Sequence, residues 1–158
     1  MPPGEGGAKY RIPDVWRHAS EEFRIDMPNI ISILTYKPGW GKAFFDTHME
    51  YISKNDMEGM VKDTYSPDAA LYNAFPFLDT PPPNIIRGTD ELIKAFKGYL
   101  EYQGDIQLDK LYNFLDSEEV ISFQAVITSS KTGQWAVSDT WLMKNEMIFR
   151  HFGTAHKL

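Results

Sequence analysis

The stretch AVSDTWLMKNEMIFRHFG, residues 136–153, predicts two β-strands joined by a tight turn, with an aspartate inside the first strand. Side chains alternate between the two faces of a strand. By this alternation four bulky apolar residues share one face with Asp139: Trp135, Val137, Trp141 and Met143. Such surroundings argue against full exposure of the carboxylate. They raise the question of what this group does there.

The composition bounds the answer. The chain has 158 residues, of which 42% are hydrophobic and 14% aromatic, which suits one domain with a real core. The net charge of -6 and the scattered basic residues argue against nucleic-acid and anionic-membrane partners. There is no cysteine, so disulfides and thiolate metal sites are excluded. Residues 1–13 lack a secretory pattern, and the apolar run 30–34 is too short to cross a bilayer, so we expect a cytoplasmic protein.

The N-terminal part, residues 1–41, differs from the rest of the chain. Residues 1–12 are rich in Gly and Pro and predict a flexible tail. A helix is expected over residues 13–24, and KPGWG at 37–41 is typical of a turn. We therefore divide the chain into an N-terminal tail with a helical extension, residues 1–41, and a main domain, residues 42–158.

Three helices are expected in the main domain. The first has an apolar stripe at i, i+3, i+4 and i+7, formed by Phe45, His48, Met49 and Ile52. Asp56 is a suitable N-cap for the second helix, and Thr89 for the third. Between the second and third helices we expect a turn at 66–68, a short strand at 70–75, and a proline-rich loop, PFLDTPPPN, at 76–84.

After Gly104 the apolar period changes from 3.6 to 2. Alternating residues and turn signals near positions 116, 131–133 and 144–146 predict four consecutive antiparallel strands. Helices gathered on one side of a curved antiparallel sheet form an α+β domain, and the hollow between the layers is a natural pocket.

Three stretches of this domain, in this order and spacing, resemble the nuclear transport factor two-like superfamily and, within it, the SnoaL-like proteins. They are KNDMEGMVKDTYSPDAALYN at 54–73, IIRGTDELIKAFKGYL at 85–100 and VSDTWLMKNEMIFRHFG at 137–153. The resemblance implies a cone-shaped fold, in which a strongly bent antiparallel sheet wraps around three helices and encloses a deep pocket. It also implies a homodimer formed through the outer sheet face. The superfamily hosts isomerases, cyclases, dehydratases, epoxide hydrolases and non-catalytic binding modules, so the fold does not fix the activity.

Compared with ketosteroid isomerase, a catalytic member of the superfamily, three positions correspond. Asp139 falls where that enzyme keeps a protonated aspartic acid as an oxyanion donor, which is a known example of a carboxylic acid held neutral by an apolar site. His48 falls where the isomerase has an oxyanion tyrosine. Asn73 falls near its general base, but an amide cannot accept a proton at neutral pH. The resemblance therefore does not imply steroid isomerisation by the same mechanism.

His151 lies on the last predicted strand, beyond the turn at residues 144–146. Pairing across this turn brings Asp139 opposite residues 150–152, so Asp139 and His151 are expected to be cross-strand neighbours. Whether the two side chains share a face depends on the strand register, because a slip of one residue reverses the answer. Asp139 and His48 could also be structural residues.

Aromatic residues are expected to form the core or the pocket wall, and we assign them to substrate binding together with Asn73. They are Tyr72, Phe75, Tyr112, Phe123, Trp135 and Trp141. They suit a hydrophobic organic ligand. No HxxxH, HxH or EF-hand spacing predicts a metal site, and no phosphate-binding loop, serine elbow or cysteine nucleophile is present. We expect no cofactor.

The sequence thus predicts a cofactor-independent isomerase, cyclase or dehydratase acting on a small hydrophobic molecule. Asp139 and His151 would form an acid/base pair, and His48 and Asn73 would bond the substrate oxygen. The alternative is a non-catalytic dimeric module that binds a ligand or a protein. An enclosed pocket with Asp139 hydrogen-bonded to a histidine would favour the enzyme. A filled pocket with Asp139 exposed would favour the binding module.

Overall fold

The computed structural model describes residues 39–117 and 119–158. These residues form helices α1 (Trp40–Ser53), α2 (Met57–Thr64) and α3 (Thr89–Gln103), and strands β1 (Tyr65–Asn73), β2 (Asn84–Arg87), β3 (Ile106–Asp116), β4 (Val120–Ser129), β5 (Gly133–Lys144) and β6 (Met147–Lys157). The tail and helix predicted for residues 1–24 lie outside the described residues, so the N-terminal extension stays a prediction. Among the described helices none is long and apolar enough to span a membrane.

The six strands form one open sheet in the order β2-β1-β6-β5-β4-β3. The predicted antiparallel succession from β3 to β6 is confirmed, and β1 also pairs with β2 in antiparallel fashion. The expectation of a wholly antiparallel sheet is wrong at one place, because β1 and β6 are parallel. The sheet is therefore mixed. The chain reaches β6 from β1 only after β2, α3 and the three strands between, and it returns alongside β1 in the same direction.

The helices pack against the inner face of this sheet, which confirms the α+β class. The main core cluster combines apolar residues of α1, α2 and α3 with inward residues of β1, β4, β5 and β6. Phe45 of α1 is central to it, since its ring lies 4.8 Å from Phe123 and 6.0 Å from Trp141 between centroids. A smaller cluster of Phe75, Ile127 and Trp135 forms a second core.

The predicted N-cap is confirmed for the second helix and is wrong for the third. The side chain of Asp56 accepts a hydrogen bond from the backbone N–H of Gly59 at 2.8 Å, as expected for an N-cap. The third helix is preceded by Gly88, and Thr89 is its first residue, with no side-chain cap. The predicted cap at Thr89 is therefore displaced by one residue.

Two boundaries and one additional strand also differ from the prediction. β1 begins at Tyr65, and residues 66–68, expected as a turn, lie inside this strand where its pairing with β6 is interrupted. β2 was not expected, because four residues between a proline-rich loop and a helix carry little periodic signal. α1 begins at Trp40, so it includes two residues that were assigned to the N-terminal part.

The start of α1 is fixed to the end of β3 through Gly41. Its backbone N–H donates to Asp116 Oδ2 at 3.1 Å. A Cβ atom at this position would lie 2.4 Å from the Cβ of Asp116, so only glycine allows this close approach. The contact holds the helix that carries His48 against the sheet.

We predict that Gly41→Ala lowers the free energy of unfolding by about 1–3 kcal/mol, because the added methyl group forces helix and strand apart. Gly98→Ala is the matched control. A Cβ at Gly98 of α3 would meet no atom within 4 Å, so this change should raise stability by about 0.5–1 kcal/mol through helix propensity alone. Urea unfolding of both variants tests this, and equal effects would contradict it.

Candidate functional site

A cavity of about 110 Å³ lies between the helices and the inner face of the sheet. Most of its wall is apolar, with side chains such as Met49, Ile52, Leu71, Phe96 and Leu108. Seven of the ten predicted site residues line it: Asp139, His151, His48, Asn73, Phe75, Phe123 and Trp141. The chain therefore forms a small, mostly apolar pocket with a few polar groups on its wall.

The other three predicted site residues are not part of this wall. Tyr72 lies on the opposite face of the sheet and stacks on Phe152, with ring centroids 4.7 Å apart. Tyr112 is half-buried beneath the ammonium group of Lys110. Trp135 is buried in the second core, and its indole N–H donates to Thr132. For these three residues the aromatic content of a strand did not indicate which surface the side chain covers.

Asp139 and His151 share the inner face of the sheet. Asp139 is paired with Gly153 and His151 with Trp141, so the two side chains are diagonal neighbours on adjacent strands. His151 Nε2 lies 3.2 Å from Asp139 Oδ2. The side chain of Asp139 is 21% exposed, and that of His151 6%. The carboxylate is thus neither freely hydrated nor sealed off, and it borders the cavity.

This juxtaposition depends on a β-bulge. Next to the turn, Lys144 pairs with Met147. Continued without interruption, this register would set His151 opposite Thr140, on the outer face of the sheet. The register instead shifts between Leu142 and Met143, which adds one residue to β6 and brings His151 inward.

Tyr65, which the sequence analysis missed, completes the arrangement. Its buried hydroxyl lies 2.7 Å from His151 Nδ1, on the far side of the ring from Asp139. Among the described residues this nitrogen is the one hydrogen-bond partner of the hydroxyl. With the phenol as donor to Nδ1, the ring proton of His151 lies on Nε2, where Asp139 accepts it. The two contacts are 86 and 12 residues apart in sequence, so no local signal could have revealed them together.

Electrostatics keep the buried phenols in their neutral form. Burial raises the pKa of Tyr65 well above its ordinary value, and the negative charge of Asp139 raises it further. The same two causes, in the same order, raise the pKa of Tyr99, whose side chain lines the cavity. Both tyrosines therefore remain available as hydrogen-bond donors.

His48 is buried at the α1 side of the cavity. Its Nδ1 lies 3.2 Å from Thr64 Oγ1, and the Thr64 hydroxyl donates its own hydrogen to the Met60 carbonyl at 2.6 Å. Nδ1 must therefore carry the proton. Burial, reinforced by His151, lowers the pKa of His48 to about 3, so the ring is neutral at physiological pH. Its Nε2 therefore bears a lone pair and is an acceptor, and the bond predicted between His48 and a substrate oxygen stays a prediction.

The side-chain amide of Asn73 is hydrogen-bonded through both its nitrogen and its oxygen. Its amide donates both hydrogens, to the Phe75 carbonyl at 2.7 Å and to Asn84 Oδ1 at 3.1 Å. Its oxygen accepts the backbone N–H of Phe75 at 3.0 Å. The side chain is thus occupied in holding the end of β1 to the following loop. It forms part of the cavity wall but has no free donor for a substrate oxygen.

Within residues 39–117 and 119–158 no group of three or more His, Asp or Glu side chains is placed to hold a metal ion. The polar residues that line the cavity are His48, His151, Asp139, Asn73, Tyr99, Thr154 and Trp141, the last through its indole.

Comparisons of sequence gave no relative. No protein-family model matches the chain, and no curated protein matches it.

Comparisons of structure gave clear similarities. The chain is similar to an NTF2-like protein from Anabaena variabilis, with a TM-score of 0.63 and 13% identity over 80% of this chain and 91% of that one. It is similar to a SnoaL-like protein of unknown function from Burkholderia thailandensis, with a TM-score of 0.62 and 9% identity over 77% and 98% of the two chains. A third is IdmH, a proposed polyketide cyclase from Streptomyces antibioticus, with a TM-score of 0.59 and 12% identity over 73% and 91%.

At these identities the similarity is one of fold, and it extends over nearly the whole length of each solved structure. The described part of this chain has the fold of the nuclear transport factor two-like superfamily, shared with its SnoaL-like members.

Proposed function

We propose that this protein is a cofactor-independent acid/base enzyme, of the isomerase, cyclase or dehydratase type, acting on a small hydrophobic organic molecule. The observation that carries the proposal is the hydrogen-bonded line Tyr65–His151–Asp139, which ends with a carboxylate at the wall of an apolar cavity. A titratable group held in such a place is typical of catalytic sites.

Asp139 is the residue to which we assign proton transfer. Its Oδ2 accepts the Nε2–H of His151, which leaves Oδ1 for the substrate. Oδ1 removes a proton from a carbon next to a carbonyl group, and the negative charge passes to the carbonyl oxygen. Asp139 then returns the proton to another carbon in isomerisation, or to a departing hydroxyl in dehydration. In cyclisation the carbanion attacks a second carbonyl, and the proton goes to the new alkoxide.

His151 and Tyr65 act through Asp139, as positioning residues. The Nε2–H of His151 stays directed at the carboxylate because Tyr65 occupies Nδ1. This fixes the orientation of the carboxylate before substrate arrives, which is the condition for efficient proton transfer. The sequence predicts His151 as one half of an acid/base pair, and we propose this supporting role for it instead.

Tyr99 is the donor that we assign to the oxygen on which charge develops. It lines the same cavity as Asp139, and the charge of that carboxylate helps to raise the pKa of Tyr99. Its raised pKa keeps the hydroxyl protonated, so it can donate a hydrogen bond to an enolate oxygen. It takes the place that we had expected Asn73 and His48 to fill.

The SnoaL-like fold supports this class of reaction, since IdmH, one of the similar structures, is a proposed polyketide cyclase. The alternative function is a non-catalytic dimeric module that binds a small ligand or a protein. The engaged amide of Asn73 favours it, because the position of the isomerase base offers no proton acceptor here.

The cytoplasmic location expected from the sequence stays a prediction.

We predict that the wild-type protein accelerates exchange of the α-hydrogens of 2-tetralone, a bicyclic apolar ketone, in D₂O. Asp139→Asn removes the proton acceptor with almost no change of shape, so it should slow this exchange by a factor of about 10²–10⁴. Proton NMR of the ketone measures the rate.

Asp46→Asn is the matched control, because Asp46 carries the same change on the exposed side of α1, where it pairs with Lys42. It should exchange the ketone at the wild-type rate. If Asp139→Asn matched the wild-type protein, or if the wild-type protein did not exceed buffer, the enzymatic proposal would be refuted in favour of the binding module.

The expected homodimer also stays a proposal, and the outer face of the sheet supports it. One row of paired positions crosses all six strands on this face: Ile85, Tyr72, Phe152, Thr140, Ser122 and Leu115. Three of these residues are large, apolar and exposed, namely Ile85 at 56%, Phe152 at 41% and Leu115 at 70%. Apolar side chains gathered in one row on an exposed sheet face are typical of an interaction surface.

We predict that the protein sediments as a dimer and that Phe152→Glu converts it to a monomer, because the charge would be buried at the centre of the interface. Leu158→Glu is the control, since Leu158 is also exposed, at 60%, but lies outside the row. Analytical ultracentrifugation gives the result. A wild-type monomer would contradict the prediction, and so would a Phe152→Glu dimer.

A further inference from the structure

Two residues of the cavity wall each carry a polar ring atom with no hydrogen-bond partner in the described part of the chain. One atom is Nε2 of His48, and the other is the indole nitrogen of Trp141. The two rings are adjacent, with centroids 4.5 Å apart. Both residues line the cavity and both are buried. Together the two rings form a second polar region of the mostly apolar cavity wall, separate from Asp139.

Thr64, on the side of His48 that faces α2, determines which ring nitrogen of His48 carries the proton. Thr64 can only accept from Nδ1, since its own hydrogen goes to Met60. The lone pair of Nε2 therefore points away from α2, and no partner for it is found in the described part of the chain. The lowered pKa of His48 agrees with a ring that stays neutral and keeps this lone pair.

Trp141 presents the opposite kind of group. Its Nε1 is buried and has no hydrogen-bond partner in the described chain. Its counterpart Trp135, on the same face of β5, has its indole N–H bonded to Thr132 at 2.9 Å. Buried polar groups in native proteins are nearly always bonded, and an unbonded one costs free energy. A donor left open beside an open acceptor is the arrangement expected of a subsite for one small group.

We propose that His48 and Trp141 form a hydroxyl-binding subsite, in which Nε2 of His48 accepts the O–H of a ligand and the indole N–H of Trp141 donates to the same oxygen. A hydroxyl group is both donor and acceptor, so it satisfies both partners at once. An ether or a carbonyl offers no hydrogen to Nε2. A carboxylate or an enolate would set its negative charge against the lone pair.

This inference rests on the proposed function and narrows its substrate class. The ligand is a neutral, apolar molecule that carries a hydroxyl group, such as a phenol, an enol or an alcohol, in addition to the carbonyl that Asp139 requires. It also reverses the expectation from sequence, in which the position of His48 supplies a donor to a substrate oxygen. Here His48 supplies an acceptor, because its hydrogen bond to Thr64 keeps the ring proton on Nδ1 and leaves a lone pair on Nε2.

Binding of phenol, toluene and benzoate to the wild-type protein tests the subsite. The three probes have one ring of similar size, and they differ in carrying a neutral hydroxyl, no polar group or an anion. Phenol should shift the ¹⁵N resonance of His48 Nε2 and the indole N–H resonance of Trp141. Toluene should leave the His48 nitrogen unchanged, and benzoate should not bind. If phenol bound without moving either resonance, or benzoate bound as well as phenol, the subsite would be refuted.

Two variants make the test quantitative. His48→Phe removes the acceptor and Trp141→Phe removes the donor, and both keep an aromatic ring in place. In each variant the ratio of phenol affinity to toluene affinity should fall by about tenfold, the usual effect of losing one buried hydrogen bond. Because toluene needs only the cavity, its retained binding shows that a variant is folded. An unchanged ratio in the two variants would overturn the proposal.

The outcome is separable from that of the proposed function. Asp139→Asn should bind phenol like the wild-type protein, since neither subsite group bonds to Asp139. Loss of phenol selectivity in the two aromatic variants, together with ketone exchange that is insensitive to Asp139→Asn, would leave the subsite intact and remove the enzyme. If Asp139→Asn slowed ketone exchange as predicted but the protein did not prefer phenol to toluene, the enzyme would be supported and the subsite refuted.

Discussion

The hydrogen bond between His151 Nε2 and Asp139 Oδ2 is the interaction on which the site depends. It holds a carboxylate at the border of an apolar cavity, where an unsupported charge would be costly to desolvate. Tyr65 supports it from behind by occupying the other ring nitrogen. A buried polar network is stable only when each member is satisfied, and in this line every internal donor meets an acceptor. Within the part of the chain that the structure describes, Asp139 Oδ1 has no hydrogen-bond partner, and it lies beside Gly153, where a substrate can approach.

The cavity has two polar places of different character. At the sheet, Asp139 carries the titratable group. At the first helix, His48 and Trp141 present a neutral acceptor and a neutral donor. His48 is kept neutral by burial and by its proximity to His151, so the two histidines take different roles although both are buried in the same domain. The rest of the wall is apolar, which suits a ligand recognised mainly by shape and by one or two polar groups.

Much of the fold could be predicted from the sequence, because its signals are local. The stripe at Phe45 and His48 and the cap at Asp56 describe helices that exist, and alternation from residue 106 onward describes strands that exist. The site was less predictable. Strand alternation placed Asp139 among apolar neighbours, but the bulge that brings His151 to the same face has no signature in the quoted stretch. Tyr65 could not be identified, because its contact with His151 spans the domain. Hydrogen-bond direction at His48 depends on Thr64 and Met60, and residue types alone do not fix it.

The tautomer of His151 is the most direct test of the hydrogen-bonded line Tyr65–His151–Asp139. Long-range ¹H–¹⁵N NMR of the imidazole rings at neutral pH reads which nitrogen carries the proton. We expect His151 to carry the proton on Nε2, directed at Asp139, while Nδ1 accepts from Tyr65. A proton on Nδ1 of His151, or the averaged nitrogen shifts of a freely hydrated imidazole, would contradict the account.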